Sequence, residues 1–317
     1  MAETGRTFVV FNPASGRGRG GKRISAYQEL LDRHLPGCEF GATQKAGDEY
    51  ALTARAIDQG FDTVVAVGGD GTWSHVADTI VESGAEVRFG VLPSGTGNDF
   101  GRNLGLAYGD PEGAVKALAS GRSTLVDIGR ISTPSAPAEP GKTSPEAPRA
   151  RHFLNLVGFG FDIAVIDAAA GARFLKGPLL YKVTALQQLF RFPGLELSLR
   201  GHGEGQERSG KHLILTITNG KFFGGGFPMA PEAEVQDGTL HACLISDASP
   251  MERMKLFNAA ERGEHVHLDK AEVIPSTGFS LDFGGPIRFE ADGDVFGTNA
   301  GQVEVEVLPR RLEVLGG

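Results

Sequence analysis

Cysteine is scarce in this chain: Cys38 and Cys243 are the two among 317 residues, far apart and in unlike surroundings. That excludes a disulfide framework and reads as two free thiols in a reducing compartment. Long apolar runs are missing as well. None approaches the roughly 20 residues a helix needs to cross a bilayer. The opening MAETGRTFVVF lacks the basic-then-apolar pattern of a secretory leader, so a cytoplasmic protein is expected. Positive charge is in deficit, with 31 Lys and Arg against 39 Asp and Glu and a net charge of -8. Such a balance argues against nucleic acid as the main partner and gives no general pull toward anionic membranes, so any membrane contact has to be local. No internal repeat is visible, and the length suffices for two domains with cores of their own.

Glycine, by contrast, is plentiful at 46 residues, and its placement organises the chain. Within Thr63–Phe100, the β-branched run Val64, Val65, Ala66, Val67 reads as a buried strand. Gly68 and Gly69 let the backbone turn sharply, Asp70, Gly71 and Thr72 follow, and Trp73, Val76, Ala77, Ile80 and Val81 then recur at helical spacing. The second run repeats the design: Phe89, Gly90, Val91 and Leu92 lead through Pro93 into Ser94-Gly95-Thr96-Gly97-Asn98-Asp99 at the start of another helix. Two helix starts above two strand ends aim backbone N–H groups at one crevice, a ready anion site. Asp70 and Asp99 cannot touch phosphate directly, so they imply Mg²⁺, water or a substrate hydroxyl between. The structural alternative is a pair of tight turns in which Asp and Thr serve as helix caps.

Taken in order, Thr7–Phe11 reads as the first strand, followed by Asn12-Pro13-Ala14-Ser15-Gly16 and the basic run Arg17 to Arg23. Gly16, Gly21 and Lys22 have P-loop spacing, but Arg23 stands where Ser or Thr should hold Mg²⁺, which rejects a P-loop ATPase. Strands alternate with helices to about residue 120, which predicts a parallel α/β sheet with its ligand at the carboxyl ends of the strands. A domain boundary is therefore set between residues 124 and 125. Ser132 to Arg151 is polar with five prolines and reads as a long mobile loop. His152 to Gly158 reads as one strand, Phe161–Ala170 and Leu179–Phe190 as helices, and the remainder as many short strands joined by glycine turns, an antiparallel sandwich. Val303–Val307 and Leu312–Leu315 read as two separate strands, with the extreme C-terminus free to return to the first domain.

These residues resemble the diacylglycerol kinase catalytic family of lipid kinases, which includes bacterial members and the sphingosine and ceramide kinases. The resemblance rests on Asn12-Pro13-Ala14-Ser15-Gly16, Gly68-Gly69-Asp70-Gly71-Thr72, Pro93 to Phe100, Asn155 with Gly158, Gly160 and Asp162, Asn219-Gly220, Asp237-Gly238 and Asp292-Gly293. It implies an α/β nucleotide-binding domain of the three-layer type shared with NAD kinases and phosphofructokinases, a C-terminal antiparallel β-sandwich, and an active site between them. It implies ATP and Mg²⁺ as cofactors and a lipid alcohol, diacylglycerol or a related glycerolipid, as acceptor. Carried over by motif, Asn12 to Gly16, Thr43, Gly68 to Ser74 (Trp73 included), Thr96, Asn98 and Asp99 hold the nucleotide. Asp292 accepts the hydroxyl proton, and Glu234, Asp237 and Thr239 bind a structural Mg²⁺, partly through backbone carbonyls. Four departures stand out: Trp73, Ser74 and His75 replace an aliphatic residue, Asn and Glu, and Asp294 replaces Glu in the late Asp-Gly-Glu. An NAD kinase-like enzyme and a catalytically inactive lipid- or nucleotide-binding regulator are the alternatives. Phe174 to Lys182, Leu186 to Phe192 and Phe222 to Phe227 mix apolar residues with Lys176, Lys182 and Arg191. They are expected to form the lipid entry and a transient membrane-contact face, the alternative being core packing. A sheet edge in the second domain is open to pairing as a homodimer.

Overall fold

The computed structural model describes residues 5–15, 20–95, 97–106, 110–133, 150–171, 178–203 and 205–316, without side-chain detail at 20–22, 169–171 and 178–183. Strands β1 (Thr7–Phe11), β2 (Glu39–Ala42), β3 (Thr63–Gly68) and β4 (Arg88–Pro93) run parallel in the order β2-β1-β3-β4. Helices α1 (Gly20–His34), α2 (Asp48–Asp58), α3 (Asp70–Ser83), α4 (Asp99–Asn103) and α5 (Pro111–Ala119) intervene. Alternate residues of the central strands face opposite layers. Val10, Val64 and Ala66 pack with Trp73, Val76 and Ile80 of α3. Val9, Val65 and Val67 pack with Tyr27 and Leu31 of α1 and Val115 and Leu118 of α5. Burial on both faces is why these strands read as unbroken apolar runs.

The second half is antiparallel. It comprises β5 (Ser123–Ser132), β6 (Ala150–Phe153), β7 (Leu156–Gly160), helices α6 (Phe161–Gly171) and α7 (Pro178–Arg191), β8 (Leu195–Gly201) and β9 (Glu207–Thr218). The short strands β10 (Phe222–Phe223) and β11 (Phe227–Pro228) follow, then β12 (Leu240–Ser246), helix α8 (Pro250–Ala260), β13 (Ala271–Ser276), β14 (Gly278–Asp282), β15 (Ile287–Ala291), β16 (Asp294–Thr298) and β17 (Gln302–Leu315). Its core is built from Phe159, Leu199, Leu215, Phe279, Phe289 and Val305.

Three readings change. The C-terminal pair of strands is one strand, β17, with a register irregularity between Leu308 and Leu312. There Arg310 takes φ 51° and its N–H donates to Asp127 Oδ1 at 2.7 Å. Val314 and Leu315 pair in parallel with Phe89 and Gly90, so β17 hydrogen-bonds both halves of the molecule. The stretch after His152 is two strands, broken at Leu154–Asn155 for a reason given below. Of the proline-rich segment, Ser132 belongs to β5 and Ala150 and Arg151 to β6, paired as Ser132 with Ala150 and Ile131 with Arg151; residues 134–149 lie outside the described ones.

Candidate active site between the two domains

The carboxyl ends of β1, β3 and β4 open into three turns that touch one another. Gly68 O accepts from Ser94 N at 2.7 Å and Gly95 N at 3.0 Å, and the Ser15 and Ser94 hydroxyls are 2.6 Å apart. Gly95 has no room for a side chain: a Cβ there would lie 2.6 Å from Gly69 Cα. Asn12 spans the first two turns, its amide donating to Thr72 Oγ1 at 3.4 Å and to Glu49 Oε1 at 3.2 Å, while its Oδ1 accepts from Ala14 N at 2.9 Å. Thr43 follows β2, its N–H on Phe11 O at 2.9 Å, beside Pro13. Arg23 donates to Ser94 O at 3.2 Å, so the basic segment reaches the crevice. Helix α3 starts at this junction with no side-chain cap on Gly69, and its first-turn N–H groups are the donors an anion meets. Gly71 faces open space.

Two side chains of the expected nucleotide set are engaged elsewhere. Trp73 is fully buried and its indole N–H donates to Ala66 O at 3.1 Å, making it a core residue of the sheet–helix layer. Ser74 is buried too; its hydroxyl donates to Asp292 and accepts from Arg151 Nη2 at 3.3 Å, facing away from the nucleotide turn. Gly16 and Thr96 lie outside the described residues.

The crevice carboxylates also behave differently from expectation. Asp70 Oδ1 accepts from Phe100 N at 3.1 Å and from the Asn155 amide at 3.3 Å, and Asp99 Oδ2 accepts from Gly225 N at 2.8 Å. Each therefore ties the nucleotide turns to the second domain directly through one carboxylate oxygen. Burial pushes the Asp99 pKa up to about 6, against the pull of the Gly225 N–H. Asn98 adopts φ 55°, a left-handed conformation that Asn tolerates, with its amide on Gly95 O at 3.2 Å.

Across the crevice lies the β15–β16 turn. Asp292, also left-handed at φ 48°, is buried with its carboxylate on three successive backbone N–H groups: Leu154 at 2.6 Å, Asn155 at 2.9 Å and Leu156 at 3.1 Å. Those bonds are what break β6 from β7. With the Ser74 hydroxyl as a fourth donor, the lone-pair sites of the carboxylate are filled. Asp292, expected as the proton acceptor, is thus the keystone of the turn. Asp294, two residues on, is different. Its side chain is 42% exposed, and Oδ2 meets His75 Nε2 at 2.5 Å and Arg151 Nη2 at 3.6 Å. Oδ1 carries no bond among the described residues. Sequence reasoning missed Arg151, which is buried against Asp78 and Tyr50. The one signal available was a cation directly before an apolar strand.

Two models match the chain end to end: "Diacylglycerol kinase catalytic domain" over residues 6–131, and "YegS C-terminal NAD kinase beta sandwich-like domain" over residues 155–316. The chain belongs to the diacylglycerol kinase catalytic family. It is a phosphotransferase with an alcohol group as acceptor. A diacylglycerol kinase of Mycobacterium tuberculosis (strain ATCC 25618 / H37Rv) is 28% identical over 314 residues, covering 99% of this chain and 96% of that protein. One of Staphylococcus saprophyticus is 27% identical over 309 residues, covering 92% and 90%. The crystal structure of a diacylglycerol kinase from Bacillus anthracis str. Sterne superposes with a TM-score of 0.71 at 17% identity, covering 98% of this chain and 96% of that one. That likeness confirms the α/β domain and the β-sandwich.

In this kinase the loop expected to bind the structural Mg²⁺ carries a closed side-chain network. Glu234, Asp237 and Thr239 do share one turn. However, Asp237 Oδ2 accepts from Glu234 N at 3.0 Å, and Oδ1 accepts from Thr239 N at 2.8 Å and Thr239 Oγ1 at 2.7 Å. His241 Nε2 adds a further partner at 3.0 Å. The carboxylate closes its own turn, as Asp does before Gly, and no group of three or more His, Cys, Asp or Glu among the described residues converges on an ion position.

A second acidic cluster lies behind Asp292. Asp162 and Glu290 close over Gly158, where a Cβ would sit 1.9 Å from Asp162 Oδ2 and 3.2 Å from Glu290 Cγ. Both Asp162 oxygens and Glu290 Oε1 are buried without partners among the described residues. Burial raises the Asp162 pKa to about 7 and lifts Glu290 well above the carboxylate range, with Asp162 itself adding to the latter. A raised folded pKa stabilises the protein below the unfolded value, near 4, and that contribution is lost as pH rises through the folded value. Glu290→Gln, which removes the repulsion, is therefore expected to raise Tm at pH 8 and to flatten the fall in Tm between pH 5 and 8. An unchanged slope in thermal melts would refute the assignment.

Proposed function

We propose that the chain transfers the γ-phosphoryl group of ATP to the hydroxyl of a lipid, diacylglycerol or a related glycerolipid. The observation that carries this reading is an uncapped helix start beside three touching turns, with a half-exposed carboxylate of the other domain bound to His75 in the second turn of the same helix. The transferred phosphoryl group passes through a loose, charge-spread state, so positioning and charge stabilisation do most of the work. The α3 N–H groups and the Ser15 and Ser94 hydroxyls orient the phosphate oxygens. Asp294, with Oδ1 open, takes the hydroxyl proton as the new P–O bond forms. Mg²⁺ bound with the nucleotide would neutralise phosphate charge. Asp70, at the first position of α3, has Oδ2 unengaged among the described residues and is the residue to hold it.

No helix among the described residues is long and apolar enough to cross a membrane. Leu186 (44% exposed) and Phe190 (53%) on α7 and Met251 (79%) at the start of α8 are three of the large apolar side chains left open. We place the lipid-facing surface there; residues 172–177 lie outside the described ones, and Lys182 has no side-chain detail. The double variant Leu186→Glu, Phe190→Glu should co-sediment less with anionic vesicles than wild type, and equal pelleting would remove this face from consideration. The function itself is tested by Mg²⁺- and ATP-dependent phosphorylation of a panel of lipid alcohols in mixed micelles. If none is phosphorylated, NAD is the next acceptor to try.

A further inference from the structure

His75 stands where the family resemblance implies a carboxylate, and its surroundings are specific. The ring is stacked on Tyr50, with centroids 4.7 Å apart and planes at 26°. Nε2 meets Asp294 Oδ2 at 2.5 Å and Nδ1 lies 3.7 Å from Glu49 Oε2. Glu49 is itself buried and held by the Asn12 amide at 3.2 Å and by Gly47 N at 3.0 Å. An unbroken chain of contacts therefore runs from the first nucleotide turn through Glu49 and the imidazole to the carboxylate that faces the acceptor.

We propose that His75 is the positioning residue for the proton acceptor, holding Asp294 by Oδ2 so that Oδ1 is presented to the lipid hydroxyl. The proposal rests on the kinase reading above for the identity of the acceptor. An aspartate is one methylene shorter than the usual glutamate, and an untethered carboxylate would sample rotamers that miss the hydroxyl. The stacked ring removes that freedom. The charged groups around it are Glu49 and Tyr50 from α2, Asp78 from α3, Arg151 from β6, and Asp292 and Asp294 from the β15–β16 turn. Burial alone would lower the His75 pKa, and Arg151 acts in the same sense. The hydrogen bond to Asp294 and the nearby Glu49 carboxylate outweigh both and push it up to about 9. At neutral pH the ring is thus an imidazolium, a charged donor to Asp294 Oδ2.

Three variants test this. His75→Phe keeps the stacking on Tyr50 and removes the donor. It should lower kcat on a short-chain diacylglycerol in mixed micelles by about 100-fold, the scale of a misplaced catalytic group, with KM for ATP unchanged. His75→Gln restores a donor and should recover most of that loss. In wild type kcat should also fall as the imidazolium deprotonates near pH 9, and His75→Phe should lack that fall. A purely structural role would lower kcat evenly across pH. An unchanged kcat in His75→Phe, or a loss that is uniform with pH and shared by His75→Gln, overturns the proposal.

Imidazole NMR of the full-length protein supplies a readout independent of turnover. His75 should titrate near pH 9 in wild type and fall back toward the ordinary range in Asp294→Asn. Titration in the ordinary range in both proteins overturns the proposal. If wild type phosphorylates no lipid alcohol while the Asp294-dependent titration is present, the kinase reading fails and the His75–Asp294 pairing stands.

Discussion

Asp294→Asn should bind ATP as tightly as wild type, melt at nearly the same temperature, and phosphorylate lipid alcohols about 10²–10⁴-fold more slowly, the range associated with a lost general base. The near-isosteric amide keeps an oxygen for His75 Nε2 but cannot accept the hydroxyl proton. Stability is spared because the side chain is 42% exposed and its bonds are made at the rim of the crevice. The measurements are initial rates in mixed micelles, ATP binding by calorimetry, and a thermal melt. Retention of wild-type turnover would move the proton to water or to another group, and the positioning role of His75 would fall with it.

Asp292→Asn should behave in the opposite way. The residue lies in the left-handed region, which Asn occupies readily, so backbone conformation contributes little to the loss. What is lost is the negative charge on which Leu154, Asn155 and Leu156 converge. An amide NH₂ turned into that nest opposes donors with a donor. Breaking a buried, charge-assisted network of this kind costs about 3 kcal/mol or more, on the order of 10 °C in Tm. Activity should fall as well, but together with stability, since the β6–β7 bend and the neighbouring Asn155–Asp70 contact loosen at once. A variant that melts like wild type and is inactive would restore Asp292 as the proton acceptor.

Much of this architecture was legible in the chain. The alternation Val64 to Val67, the glycine turns and the 3.6-residue spacing of α3 are local signals, and each maps directly to a strand, a turn and a helix. The turns after β1, β3 and β4 were read as one site because a parallel sheet places its strand ends side by side. The chain was least informative where a residue type has a common local use and a rarer distant one. Trp73 follows the nucleotide motif and is a core side chain. Ser74 follows it and serves Asp292. Asp237 precedes Gly and closes a turn. Arg151 looked like the end of a polar loop and is instead a buried cation of the domain junction.

The sequence by itself determined the two-domain plan, the family and the position of the crevice, because these depend on periodicity and on turn chemistry within a few residues. Only the tertiary structure gives Asp292 and Asp294 different surroundings. They are two residues apart in one turn, alike in charge, and nothing local separates them. The difference comes from groups more than a hundred positions away: the Leu154 to Leu156 amides saturate one carboxylate, while His75 holds the other by a single oxygen. A carboxylate's chemistry is set by how many of its lone pairs are already used, and that count exists only once the chain has folded.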